Sequence, residues 1–255
     1  MSRTHGFAIA TYAATTALSV GLLFSPGLTG VSPAQTGGNQ SPQQLAAQAQ
    51  AGLAKAASVR VGYVDRSATA VSGSRMPTSM NLALDRRGNC AGTLTLGGHG
   101  GSVEIIKRGP DVWLKPDAVF WKAAIPGRRG VAAAASFGNR YIHGSTAGTL
   151  LSGIAGTCDL GTLQKAAMVT VPASLTEGLA TMVNGTRVVP LTFRVNRLTS
   201  TLYVTPGKPH HLYRAAQRGP GTNLSLTFTD YNKPVRATPP PASRTVDISK
   251  VPNMR

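Results

Sequence analysis

NLALDRRGNCAGTLTLGGHGGSVEIIKRGPDVWLKPDAVFW (residues 81–121) holds three strand-length runs in succession, residues 82–84, 93–96 and 103–106, and a fourth at 112–114. Tight turns separate them: Arg86-Arg87-Gly88-Asn89, then Gly97-Gly98-His99-Gly100-Gly101, then Gly109-Pro110-Asp111. Glycine supplies the positive φ such turns need, and proline fixes the corner. Connections this short join antiparallel neighbours. The stretch therefore reads as a β-meander ending in Trp113 and Trp121. A curved antiparallel sheet has one apolar face that must be covered. Whatever covers it, protein or ligand, is the route to function.

The rest of the chain extends this pattern. Residues 42–58 read as a helix, with Ser41 as N-cap and Pro42 in the first turn. Its stripe, Leu45, Ala46, Ala49, Leu53 and Ala56, is mostly alanine, so the helix must lean on something else. A strand is expected at 59–64 and a small-residue loop at 68–77. Pro116-Asp117 opens a short turn carrying Phe120 and Trp121. Residues 126–139 suit either a loose helix or a mobile loop, and as a mobile segment residues 126–137 would gate a cavity. Residues 141–156 are ambiguous, with Leu150, Leu151 and Ile154 suggesting one helical turn or two, and Asp159 caps a helix through Ala167. The second half returns to β. Asn184-Gly185 is a strong hairpin signal between residues 180–183 and 187–194. Further strands are expected at 199–204, 211–216, 224–230 and 246–248. The fold class is α+β: a curved antiparallel sheet, or half-barrel, with helices packed on the concave face. Residues 42–255 form one domain in this reading.

The first 34 residues read as an export signal. Arg3 gives a positive start, residues 7–24 are apolar, Pro26-Gly27 break the run, and Ser32-Pro33-Ala34 offer small residues for cleavage. An uncleaved N-terminal anchor is the rival reading, and residues 35–41 make a polar linker. The chain is then secreted or attached to the outer face of the cytoplasmic membrane. Two cysteines, Cys90 and Cys158, suit an exported chain in which they pair and tie the middle of the chain to the first sheet. Two buried free thiols are the alternative. The formal net charge is +17. Such a surface adheres to anionic lipid heads or wall polymers, or serves only solubility. Export and the scattering of the basic residues disfavour nucleic acid.

Chemistry-bearing motifs are sparse. There is no Gly-x-Ser-x-Gly elbow, no Ser-x-x-Lys and no Cys-x-x-Cys. Residues 97–102 are glycine-rich but lack the lysine of a phosphate loop. His210-His211 are adjacent, so on a strand they point to opposite faces and make a poor chelate; a solvated strand end is expected there. His99 is expected exposed in its turn, and His143 has no evident partner. No enzyme activity, cofactor or metal is expected.

One order of motifs carries a resemblance. Gly88-Asn89-Cys90 with Gly92 is followed by Val112-Trp113-Leu114-Lys115-Pro116, Phe120-Trp121 and Cys158-Asp159-Leu160. Leu202-Tyr203-Val204, residues 209–214 and Leu226-Thr227-Phe228-Thr229-Asp230-Tyr231 come later. This order resembles secreted actinobacterial lipoproteins of the LppX/LprG group and, more distantly, the LolA-like carriers. The resemblance implies a half-barrel closed by helices, with lipid or lipoglycan held between them. The chain departs from that group in one respect: residues 21–35 contain no cysteine to acylate. Candidate ligand walls are Leu82, Leu84, Leu94, Leu96, Ile105, Trp113, Phe120 and Trp121, with Lys115 placed to meet an anionic head group. The function expected is a carrier or binding protein for a lipid or other amphiphile. The alternative is a structural or interaction protein of the envelope, its sheet packed solid and its basic exterior docked on wall or membrane anions. The sequence leaves the oligomeric state open.

Overall fold

The computed structural model describes residues 40–67, 76–147, 151 and 156–250. The export signal and most of the loop expected at 68–77 lie outside the described residues. The first helix, α1 (Pro42–Lys55), begins with a reciprocal cap. The Ser41 hydroxyl accepts from the Gln44 N–H, and the Gln44 side chain accepts from the Ser41 N–H. Two of the four orphan donors of the helix start are satisfied this way. The helix stops at Lys55, three residues before the expected limit. Ala56 adopts an extended ψ of 131°, and Ser58 already belongs to the first strand.

The meander has the expected order. β2 (Pro77–Asp85), β3 (Cys90–Leu96), β4 (Ser102–Arg108) and β5 (Asp111–Pro116) pair antiparallel with their neighbours. β1 (Ser58–Asp65) joins β2 on one side and β12 (Thr222–Thr229) on the other. This one strand splices the two β-rich halves into a single sheet. Beyond β12 lie β11 (Leu212–Gly219), β10 (Leu198–Val204) and β9 (Thr186–Val195). The short β7 (Thr176–Glu177) and β8 (Thr181–Val183) both pair with β9. At the other edge β6 (Tyr141–Ser145) pairs with β5, and β13 (Thr245–Asp247) pairs with β6. Thirteen strands are present among the described residues. Every pairing is antiparallel except β13 with β6. The sheet is open, so the architecture is α+β without barrel closure.

Three further α-helices pack with the sheet: α2 (Ala118–Ala124), α3 (Arg128–Phe137) and α4 (Leu160–Ala167). Asp117 caps α2 through the Phe120 N–H at 2.7 Å and also accepts from the Ser102 N–H at 2.9 Å. It thereby pins the helix start to the β4 end of the sheet. Asp159 caps α4 as expected, through the Thr162 N–H. Residues 128–137 take the helical alternative, and α2 and α3 pack together around Trp121, Ala133 and Phe137. Of the residues that suggested a helical turn, Leu150 and Ile154 lie outside the described residues; residues 141–145, which the sequence leaves open, form a strand. The open edge of β5 offers them a ladder, and a tertiary partner of that kind outweighs weak local preference.

Register makes one face of the sheet continuously apolar. Leu114 faces Ile105, which faces Gly92, which faces Leu82, which faces Val61, which faces Phe228. Tyr63 continues the same face through Leu226, Ala215 and Leu202 to Leu191. The side chains at Leu82, Ile105, Val61 and Leu191 are fully buried.

Candidate functional site

α1 lies over that face. Leu45, Ala46, Ala49 and Leu53 are all buried and pack in one cluster with Val61, Leu82, Ile105, Leu202 and Phe228. The alanines let the helix axis come close to the sheet, and Gly52 brings it against the His210 carbonyl. Of the residues expected to line a ligand wall, Leu82, Leu84, Leu94 and Ile105 are buried in this cluster. Leu96 and Phe120 are partly buried against it. Trp121 is fully buried in the second cluster, under α3 and beside Ile142 and Val246; Phe120 touches both clusters.

Trp113 and Lys115 correct the expected grouping. Side chains alternate along a strand, so with Leu114 on the covered face its two neighbours point the other way. Trp113 stacks on His143 at 4.9 Å, and the His143 Nε2 lies 3.0 Å from Asp111. His143 therefore has two partners that no local spacing announced. Lys115 pairs with Glu104 at 3.5 Å and sits 5.5 Å from the Tyr141 ring centroid. The Tyr141 hydroxyl donates to Glu104 at 2.7 Å, and burial first, then Glu104, pushes its pKa up to about 12. Lys115 is thus engaged on the face away from α1 and does not share a wall with the leucines.

His210 and His211 are half-buried, where a solvated strand end was expected. His210 Nδ1 lies 3.0 Å from the Thr205 carbonyl, and His211 stacks on Tyr231 at 4.3 Å. α1 covers this segment, which local sequence could not announce. His99 is exposed in its turn, with a φ of 59°.

Three separate parts of the chain meet at the C-terminal end of α1. The Gln164 side chain, buried on α4, donates to the carbonyls of Leu53 and Ala56 at 2.8 and 3.0 Å. Arg86, from the β2–β3 turn, donates to Ala54 and Ala56 at 2.7 and 3.0 Å. These cations and amides satisfy the last carbonyls of the helix, which have no intrahelical partner. Cys90 and Cys158 are joined in a disulfide that ties α4's start to β3. Beside this junction opens a cleft of about 640 Å³, lined among others by Arg86, Lys107, Cys158, Asp159, Leu160 and Gln164. A smaller cleft of about 330 Å³ lies nearby, along Asn89, Arg108 and residues 235–239. Neither cleft runs between α1 and the sheet. Sequence reasoning missed Arg86, Lys107 and Gln164. The Arg86-Arg87-Gly88 turn was visible, but not that its first arginine would reach back to a helix end.

Two carboxylates near this end of the sheet link folding to pH. The Thr162 N–H foremost holds Asp159 below its ordinary value of 3.8. Lys233 first, then Arg60, do the same for Asp230. Near that value the folded chain binds fewer protons than the unfolded one. The stability these carboxylates contribute is present above 3.8 and is lost as pH falls from there through their lower folded-state values. The urea midpoint is expected to stay level between about pH 7 and about pH 5 and to decline below about pH 4. The double substitution D159N/D230N flattens the decline. A midpoint that rises on acidification contradicts this account.

No protein-family model matches the sequence, and no curated protein matches it. Solved structures do. LprF from Mycobacterium bovis superposes with a TM-score of 0.52 at 14% identity, over 78% of this chain and 96% of that one. This chain shares the fold of LprF. The Mycobacterium tuberculosis lipoprotein LppX is similar at 15% identity over 78% of this chain and 100% of its own, with a TM-score of 0.44.

Proposed function

We propose that this chain is an exported, non-enzymatic binding or carrier protein for a lipid or other amphiphile, held between the sheet and its covering helices. The observation that carries the reading is the continuous apolar face roofed by a helix whose contact stripe is half alanine, Leu45, Ala46, Ala49 and Leu53. The fold shared with LprF supports it. The disulfide fits an oxidising compartment, which leaves the protein secreted or held at the outer face of the cytoplasmic membrane. In the described arrangement the chain's own side chains fill the interface under α1. A guest enters as the cover lifts, and small residues such as Ala46 and Ala49 leave little to displace. Burial of about ten methylenes is worth roughly 8 kcal/mol before ordering costs, enough to oppose lifting one helix. The cleft beside Arg86 and Lys107 is the mouth in this reading, its cations meeting an anionic head group. Delipidated full-length protein is expected to bind a fluorescent fatty acid or phospholipid stoichiometrically, with affinity rising with acyl length. A flat titration by protein shown to be folded overturns the reading.

One observation favours a second reading. The buried cluster is continuous beneath α1, and neither cleft lies there. An envelope interaction protein with a solid core and a basic exterior fits those facts. Its binding would be salt-dependent and indifferent to acyl length.

A further inference from the structure

The edge of the sheet beyond β9 holds two conspicuously exposed apolar residues. Leu179 is 93% exposed and Met182 is 61% exposed. Register explains the first. β7 pairs Thr176 with Thr192 and Glu177 with Leu191, and β8 resumes at Thr181 opposite Val188. Gly178, Leu179 and Ala180 therefore stand opposite only Val189 and Pro190. The extra residue makes a bulge, held by the Gly178 N–H donating to the Pro190 carbonyl at 2.8 Å. A bulge re-aims side chains and blunts an edge against strand addition, so a strand from another chain is a poor occupant. Met182 follows on the hairpin, directly across from exposed Arg187. The hairpin turn, Asn184-Gly185, has φ values of 48° and 77°, and Thr186–Val188 extend past the last residue of β10, Val204, which pairs with Val189.

The pairings also show what shares this end of the sheet. The β10–β11 connection, the β2–β3 turn, the β4–β5 turn and the C-terminus of α1 all lie there. They carry exposed Lys208, Arg87, Arg108 and Lys55, with Arg187 on the hairpin itself. Most carboxylates at this end are occupied. Asp230 pairs with Arg60 and Lys233, Asp85 accepts from the Arg87 and Asn89 N–H groups, Asp111 holds His143 and Asp159 caps α4. Glu177 is the exposed acid on the hairpin side.

We propose that this end of the sheet docks on an anionic lipid bilayer, with Leu179 and Met182 entering the acyl boundary while the surrounding cations rest on the head groups. The combination is one that interfacial binders need, an apolar wedge beside basic residues. It goes beyond the carrier reading and holds whether or not the core accepts a guest. The full chain should float with vesicles of phosphatidylglycerol and phosphatidylcholine, and much less with phosphatidylcholine alone. L179S/M182S should weaken flotation at least tenfold at low and high salt. R187Q should weaken it about fivefold at low salt and little at high salt. V119S/V131S, on the exposed side of α2 and α3, serves as the control for apolar loss elsewhere and should float like the parent. Thermal melts confirm that each variant folds. The proposal is overturned if L179S/M182S floats like the parent, if V119S/V131S loses flotation in its place, if phosphatidylcholine alone serves equally, or if a soluble polyanion is retained while vesicles are not. Uptake of a monomeric fatty-acid probe without vesicles should be unchanged in L179S/M182S, so failure here and failure of the carrier reading are told apart.

Discussion

Replacing Cys90 and Cys158 together by alanine is expected to lower stability by about 4 kcal/mol on the chain-entropy account. The bond closes a sequence separation of 68 residues, and both cysteines are buried. For a chain of this size that corresponds to a fall in Tm of roughly 10 °C. The location sharpens the expectation. Cys158 immediately precedes the capping residue of α4, and α4 carries Gln164, which caps α1. Without the bond, α4 is held by its buried Leu160, Gln164 and Ala167, so the cover over the sheet loosens with the global fold. Urea unfolding of the double variant, and of the parent in reductant, measures the effect. Coincident midpoints for parent and variant would show that the crosslink does not constrain the unfolded chain.

Gly92→Ala is expected to cost about 3 kcal/mol or more, and to reduce the yield of folded protein. Gly92 has a φ of +154°, and an added Cβ would lie 1.9 Å from the Asn81 carbonyl oxygen, on the backbone of the neighbouring strand. It sits between Leu82 and Ile105 on the covered face, so β2 and β3 cannot separate without opening the cluster under α1. Gly109→Ala is the comparison. Its φ is +57°, but a Cβ there meets nothing within 4 Å. Only the left-handed strain remains, about 1 kcal/mol. Equilibrium unfolding of the two variants separates backbone strain from steric exclusion. Equal losses would refute the close approach at Gly92.

The meander was legible because turn chemistry and strand chemistry alternate at short range. Gly88, Gly101 and Gly109 all take positive φ, as the turns demanded. The Asn184-Gly185 hairpin and the caps at Ser41 and Asp159 were legible for the same reason: each is decided within four residues. The C-terminal end of α1 and the strand at β6 were not. Ser58 is drawn into β1 by its pairing with Asp85, and Tyr141 to Ser145 by the free edge of β5. The wall residues were legible as apolar but not as a set. Leu82, Leu84, Leu94 and Ile105 share a face, whereas Trp113 and Lys115 were grouped with them by nearness in sequence, which ignores the alternation of a strand.

By itself the sequence determined most of the turns, which strands of the meander pair with their neighbours, where α1 and α4 begin and that the molecule is strongly basic. These are local or compositional properties, set by backbone sterics, capping hydrogen bonds and summed charge. Only the tertiary structure decided that β1 bridges the two halves into one sheet, that α1 roofs its apolar face, that Arg86 and Gln164 meet at the end of that helix, and that Leu179 is left in water. The first three depend on residues tens to more than a hundred positions apart, brought together by hydrogen-bond registers and the burial of a common core; the last depends on a bulge in the pairing with β9, which only the register reveals.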